Sequence, residues 1–326
     1  MMNKSTLIAV AMVTALAVMG LMFCWHSPDL PWWREIVGAH WHFKRQLLWN
    51  IAGVAVFAIA AMVGWKRWLM VAPFVFSGWV ALWLAALLQP SAAGSWSFVR
   101  IGAISLNVWS LFPVAFALLA AWLSERGVRV KWIVLSCCAV ALAAMTLRTV
   151  SDPGRVARLA TFLAGGDISA ATPGACARAL VQRQTCEAFA HSSWFSPGDA
   201  ETLLCFPGAL TFSMPAASAV LFGKWFIAVA WLFFGAFALS LGCLWRGTGD
   251  VAKRSYILFL GLGVLAPAAF GCCECLGLVP MLYASVPLVS YGGVLAFAVW
   301  LGVGILVSAS ACRGEYVWSQ ADYLQE

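Results

Sequence analysis

Eight apolar runs, each about as long as a bilayer core is thick, restrict this chain to very few folds. They fall at about 5–25, 46–64, 69–88, 107–124, 132–148, 224–245, 255–275 and 290–311. In lipid a backbone N–H or C=O finds no solvent partner, so each run must satisfy its own hydrogen bonds as a helix. The expected fold is an all-α integral membrane protein, a polytopic bundle of about eight transmembrane helices. Composition agrees, with 63% hydrophobic residues, only 10% charged ones and a mean hydropathy of +0.88. Residues 1–326 read as a single transmembrane domain.

The formal charge of +7 has no soluble basic domain to carry it, which argues against nucleic acid and for loops facing anionic membrane lipid. Lys66-Arg67, Arg126 to Lys131 and Arg246 to Arg254 are short basic loops that alternate along the chain. With Lys4 and Arg313 they belong on the cytoplasmic side, so both termini are expected inside. Against this stand Arg34, Lys44 and Arg45 in the first outer loop, and Arg148, Arg155, Arg158, Arg178 and Arg183 in or beside a long outer segment. The first run has no small-residue cleavage site before Cys24-Trp25-His26 and reads as an uncleaved anchor. Many of the 19 tryptophans fit interfacial belts, among them Trp32, Trp33, Trp41, Trp65 and Trp68.

The extracytoplasmic loop region at about 149–209 is the only sizeable polar stretch, punctuated by Gly165-Gly166-Asp167, Thr172-Pro173-Gly174 and Ser196-Pro197-Gly198. Residues 176–190 between these turns are expected to form a short helix on the membrane surface. Cys176, Cys186 and Cys205 lie in this region, where an oxidising compartment permits at most one disulfide among them. Cys272-Cys273-x-Cys275 lacks the second half of a zinc pattern, and His26, His40, His42 and His191 have no metal spacing, so no metal site is expected.

The stretch from Glu274 to Cys312 carries the densest signal. A helix is expected to end at Gly277 and Pro280, a loop holds Pro287, and Ser290-Tyr291-Gly292-Gly293 opens the last run. Irregular backbone at membrane depth survives only where protein buries it or where it lines a wet cavity. The glycines permit close approach of a ligand or of another backbone, and the hydroxyls offer polar handles.

Upstream, Phe43-Lys44-Arg45-Gln46-Leu47-Leu48-Trp49 is followed by Gly53, and Gly94 to Leu106 carries Arg100-Ile101-Gly102. Arg158 to Leu163, then Gln184-Thr185-x-x-Ala188 to Phe195, follow in order, and Gly277 to Gly293 closes the series. These five stretches together resemble the FtsW/RodA/SpoVE, or SEDS, family of bacterial cell-wall synthesis membrane proteins. The last is the closest match, similar to a family Gly-Leu-Leu-Pro and Pro-x-x-Ser-Tyr-Gly-Gly. The resemblance runs from about 43 to 311. It implies a multi-pass protein of the bacterial inner membrane, acting in peptidoglycan synthesis during division or elongation. The family joins a polyprenyl-linked peptidoglycan precursor to a growing glycan and works with a single-span transpeptidase, a penicillin-binding protein. No cofactor is evident, although the resemblance allows a divalent cation.

The departures bear on chemistry. The family usually has ten spans, and one span stands between Leu123 and Arg148 where the family has three. Phe206-Pro207-Gly208-Ala209-Leu210-Thr211-Phe212 falls where the family resembles Leu-Pro-Glu-x-His-Thr-Asp, so Phe212 occupies the catalytic aspartate's position. Ser110 and Pro113 replace a Glu and a Lys of the fourth span. A hydroxyl nucleophile needs a positioned base, typically worth roughly 10²–10⁴-fold, and Phe212 accepts no proton. Glu187, Glu274 and Asp199 are candidate replacement bases, Glu187 reading equally as a solvated loop carboxylate and Glu274 as an interfacial one. Arg45, Gln46, Arg100, Gln184, Thr211 and Lys224 are candidates for holding the precursor, while Arg45 and Arg100 equally suit lipid headgroups and snorkelling alone explains Lys224. Three functions fit: a non-catalytic member, a polymerase with a relocated base, and a transporter or flippase of lipid-linked precursor.

Overall fold

The asparagine before the first apolar run starts the fold: Asn3 Oδ1 accepts the Ser5 amide at 3.2 Å and caps α1 (Lys4–His26). The structure, a computed structural model, describes residues 3–27, 40–88, 98–101, 104–133 with 135, 173–198, 213–279 and 285–311. After α1 come α2 (Trp41–Met62), α3 (Trp65–Leu88), the antiparallel strands β1 (Phe98–Ile101) and β2 (Ile104–Asn107), and α4 (Phe112–Glu125). Then follow α5 (Pro173–His191), α6 (Met214–Phe222), α7 (Lys224–Gly247), α8 (Val251–Cys275) and α9 (Gly293–Ala311). Among the described residues six helices are long and apolar enough to cross a membrane: α1, α2, most of α3, α7, α8 and α9. The expected run at 132–148 lies almost wholly outside the described residues.

One expectation needs correcting. The run at 107–124 yields a helix of 14 residues that begins only at Phe112. Its expected start is taken up by β2 and by a 3₁₀ turn, Val108–Ser110, where Asn107 Oδ1 accepts the Trp109 amide at 3.1 Å and the Trp79 indole donates to Val108 O at 2.9 Å. At the start of α3, beside the basic pair Lys66-Arg67, Trp65 is 3% exposed and packs edge-on to Tyr256 of α8.

The most extensive pairings are α2 with α9, α4 with α8, α1 with α7 and α3 with α4. The first is an exchange of glycines and large side chains. A methyl on Gly53 of α2 would overlap the Trp300 indole of α9, and one on Gly293 of α9 would overlap the Trp49 indole of α2. Further along, a methyl on Gly304 would lie 2.6 Å from the Phe57 carbonyl oxygen. Small residues that let backbones approach closely are the usual basis of helix association in lipid, where the hydrophobic effect gives little. Polar groups lock the register: the Trp300 indole donates to Asn50 Oδ1 at 3.1 Å, Asn50 Nδ2 donates to Gln46 O at 2.9 Å, and Ser308 Oγ donates to Val63 O. In α4 and α8, the Ser124 and Ser255 hydroxyls meet at 2.6 Å.

These contacts sort the helix ends. Asn3, Val63, Ser124, Thr248, Ser255 and Ser310 cluster at one end through the Ser308–Val63 and Ser124–Ser255 bonds and the shared lining of a small cavity. The basic loops at Lys66-Arg67, Arg126 and Arg246 to Arg254 therefore share that end, as the alternation in sequence requires. At the opposite end meet the C-termini of α1 and α8 and the N-termini of α2, α7 and α9.

Gly53→Ala and Gly293→Ala are each expected to destabilise the bundle by about 1–3 kcal/mol, the usual cost of overpacking. Gly64→Ala, with open space around it, should leave stability nearly unchanged. Thermal unfolding in detergent micelles reads the difference.

Candidate ligand site at the end away from the basic loops

On one side of this end, α5 lies across the C-terminus of α8. The expected surface helix at 176–190 is present as α5, but its inner face is buried in the protein. Thr185 is fully buried, its hydroxyl donating to Val181 O at 2.7 Å and lying 3.4 Å from the Ser213 hydroxyl at the start of α6. Gln182 Nε2 donates to Val279 O at 2.8 Å, tying α5 to the segment after α8. The α8 helix ends at Gly277, whose φ of 70° suits glycine, and Leu278 N donates back to Cys273 O at 3.0 Å. Nine-residue α6 was not among the expected elements; it is too short to span, yet Met214 to Val220 are all buried. It ends at Gly223, with φ 93°, where a methyl would lie 2.6 Å from Trp194 O.

The other side joins α2 to the loop before α9. Leu288 has φ 68°, and its carbonyl sits where a methyl on Gly20 of α1 would be, so α1 closes over the loop. Ser290 is buried, and its hydroxyl donates to Val286 O at 2.7 Å. Pro287 is buried beside it. The Gly292 amide donates to Gln46 Oε1 at 3.3 Å, and the Gln46 side chain is fully buried with its Nε2 unpaired. The Arg45 guanidinium lies near the Tyr291 hydroxyl, and the His42 ring meets Tyr291 edge-on at 4.9 Å. Burial pushes the Tyr291 hydroxyl up, while the Arg45 charge holds it down.

The sequence candidates thus divide. Arg45, Gln46, Tyr291, Gly292 and Gly293 come together, but Ser290 turns to its own loop and Gly293 is filled by Trp49. Gln184 is half-buried on α5. Lys224 Nζ donates to Ala190 O at 3.0 Å and lies 5.6 Å from the Phe189 ring, so it caps the end of α5. Glu187 stands on the outer face of α5 and pairs with Arg183 at 2.7 Å. Glu274 is fully buried at the end of α8, and among the described residues it and Glu187 are the carboxylates at this end. Phe212, Thr211, Asp199, Pro280 and the side chain of Arg100 lie outside the described residues. Sequence reasoning missed Asn50, Gln182 and Ser213; Asn50 carried a signal, being a polar side chain inside an apolar run.

Among the described residues no three His, Cys, Asp or Glu side chains come together. Cys186 is a free thiol directed at Glu274 O, 3.8 Å away. Cys176 lies ten residues before it on the same helix, roughly 15 Å along the axis, which rules out a bridge between those two. Cys205 lies outside the described residues. Cys272 Sγ accepts the Trp231 indole N–H at 2.9 Å, a packing role.

No family model and no curated protein matches the sequence. Solved structures do match in fold. One is a chain from a structure described as the structural coordination of polymerization and crosslinking by a peptidoglycan synthase complex. It has 14% identity and a TM-score of 0.70, and the match covers 94% of this chain and 98% of that one. The rod shape determining protein RodA of Thermus thermophilus matches at 16% identity and a TM-score of 0.59, covering 94% of this chain and 96% of RodA. An aspartate-to-alanine mutant of the same RodA matches at 16% identity and 0.65, covering 94% and 97%. The fold of this chain is therefore the polytopic helical fold of these proteins over nearly its whole length.

Burial, and then the Glu187 carboxylate, push the Cys186 thiol up, so its thiolate forms only at higher pH than for a free cysteine. Alkylation of Cys186, followed by peptide-resolved mass spectrometry, is expected to be slow at neutral pH and to rise on the alkaline side. Glu187→Gln, which removes the second cause, should shift that rise to lower pH.

Proposed function

We propose that this chain is a divergent member of the FtsW/RodA/SpoVE family that serves peptidoglycan synthesis without itself polymerising glycan. It is a single multi-pass domain of the bacterial inner membrane. The basic end with both termini faces the cytoplasm, and the Arg45–Tyr291 end faces outward, toward the lipid-linked precursor and a single-span penicillin-binding protein. The observation that carries this is a contrast. A RodA-type fold is kept over 94% of the chain, yet the position matching the family's catalytic aspartate is Phe212.

Glycosyl transfer to a sugar hydroxyl needs a group that takes the proton as the new bond forms. Phe212 has no lone pair to offer. The replacement carboxylates are poorly disposed for the task. Glu187 is held by Arg183 on an exposed face, and Glu274 is sealed from any substrate hydroxyl. Ser110 and Pro113 supply neither a base nor a cation for the diphosphate leaving group. What this end retains is Arg45 beside the Tyr291 hydroxyl, a cation and a phenol that suit holding an anionic headgroup rather than turning it over.

Purified protein given lipid-linked disaccharide-peptide, with and without divalent cations, is expected to yield no glycan ladder on a gel. A ladder formed by the wild type and lost in Glu274→Gln would replace this function with polymerisation from a relocated base.

A further inference from the structure

At the basic end of the bundle a cleft opens where α1, α7, α8 and α9 converge. Its lining is ordered by depth. Thr248, Lys253 and Ser310 line it, and so do Leu244, Ile257 and Leu306, each four positions further into the same helix. Four positions are one helical turn, about 6 Å along the axis, and keep the same face. The cleft is therefore polar at its mouth, where Asn3 adds an amide, and apolar on its floor. A lipid of the adjoining leaflet runs in the same sense, from headgroup to chains. The volume of about 40 Å³ has room for about three waters, or for the oxygens of one phosphate group.

The electrostatics of this end are one-sided. Among its described residues Lys and Arg far outnumber the carboxylates, Glu125 and Asp250. Asp250 is engaged by α8, its Oδ1 accepting the Ala252 and Lys253 amides at 2.8 and 3.3 Å. Arg254 is engaged as well, donating to Thr248 O at 2.7 Å and lying 5.3 Å from the Trp245 ring. Lys253, at the mouth, makes no side-chain hydrogen bond or ion pair among the described residues. Asn3 Oδ1 accepts the Ser5 amide, which leaves Nδ2 as a donor beside it.

We propose that this cleft binds the phosphate of an anionic phospholipid. Lys253 supplies the charge, and Asn3 Nδ2 and the Thr248 hydroxyl supply further donors. Basic pockets between transmembrane helices hold such headgroups elsewhere. A free phosphate ion would gain nothing from Leu244, Ile257 and Leu306, whereas the glycerol and chains of a lipid would cover them. The proposal asks nothing of Phe212 or of the end that carries Arg45, so it stands or falls apart from the function proposed above.

The test is native mass spectrometry of the full chain given phosphatidylglycerol and phosphatidylethanolamine in equal amounts. The wild type is expected to retain one phosphatidylglycerol in preference. Lys253→Gln should weaken that retention about tenfold, the worth of a hydrogen bond to a charged group. Ser310→Phe, which fills the mouth and changes no charge, should weaken it as much, with the melting temperature of both variants near that of the wild type. Arg126→Gln removes a charge outside the cleft and should leave retention within about twofold of the wild type. Equal losses in Lys253→Gln and Arg126→Gln, with Ser310→Phe unaffected, would mean diffuse attraction to the basic surface and overturn the site. Inorganic phosphate held by the protein with no preference between the lipids would also overturn it, in favour of a soluble anion. No preference until residues 312–326 are deleted, with Glu315, Asp322 and Glu326 among them, would overturn it in favour of that segment as the occupant.

Discussion

The fold depends on how closely α2 and α9 approach. Gly53 and Gly293 each accept the indole of the other helix, Trp300 and Trp49, and Gly304 rests on the Phe57 carbonyl. In lipid this fit of surfaces takes the place of a hydrophobic driving force, and the Asn50–Trp300 bond prevents the helices from slipping by a turn. Because the pair packs so closely, its end away from the basic loops holds Gln46, Arg45, Tyr291 and the Gly292 amide in one place. The loop before α9 is then locked from behind by α1, where Gly20 meets the Leu288 carbonyl.

The rest of the bundle follows the same logic. Irregular backbone is sheltered at three described places: the turn at Val108 by the Trp79 indole, the end of α8 by Gln182 and Cys186 of α5, and the start of α7 by Trp194. Bilayer physics demands as much, since an unpaired carbonyl facing lipid tails costs several kcal/mol.

Much of this was legible in the sequence, and the limits have physical causes. Long apolar runs announced α1, α2, α3, α7, α8 and α9 because their length alone decides the matter. The basic loops announced a shared end because charge resists burial. The Arg45-Gln46 and Tyr291-Gly292 steps were visible as polar groups at helix starts, although nothing local said that they meet across 246 residues. The short elements were harder. Phe112 as the true start of α4 and Met214–Phe222 as a buried helix depend on tertiary partners that periodicity does not record. Gly293 is the instructive case: one glycine permits a ligand or a packed neighbour equally, and only the position of Trp49 decides for the neighbour. Glu274 likewise read as either interfacial or functional until its complete burial placed it inside the protein.

The proposal of a protein that holds a lipid-linked precursor without converting it rests on a RodA-type fold that has Phe212 where the family resemblance expects an acid. Native mass spectrometry of the protein in nanodiscs with lipid-linked disaccharide-peptide measures this directly, because the mass of the bound lipid states whether it has reacted. The predicted result is a complex of one protein with one intact precursor that persists unchanged on prolonged incubation. A bound or released polyprenyl diphosphate, with the sugar gone, would contradict it.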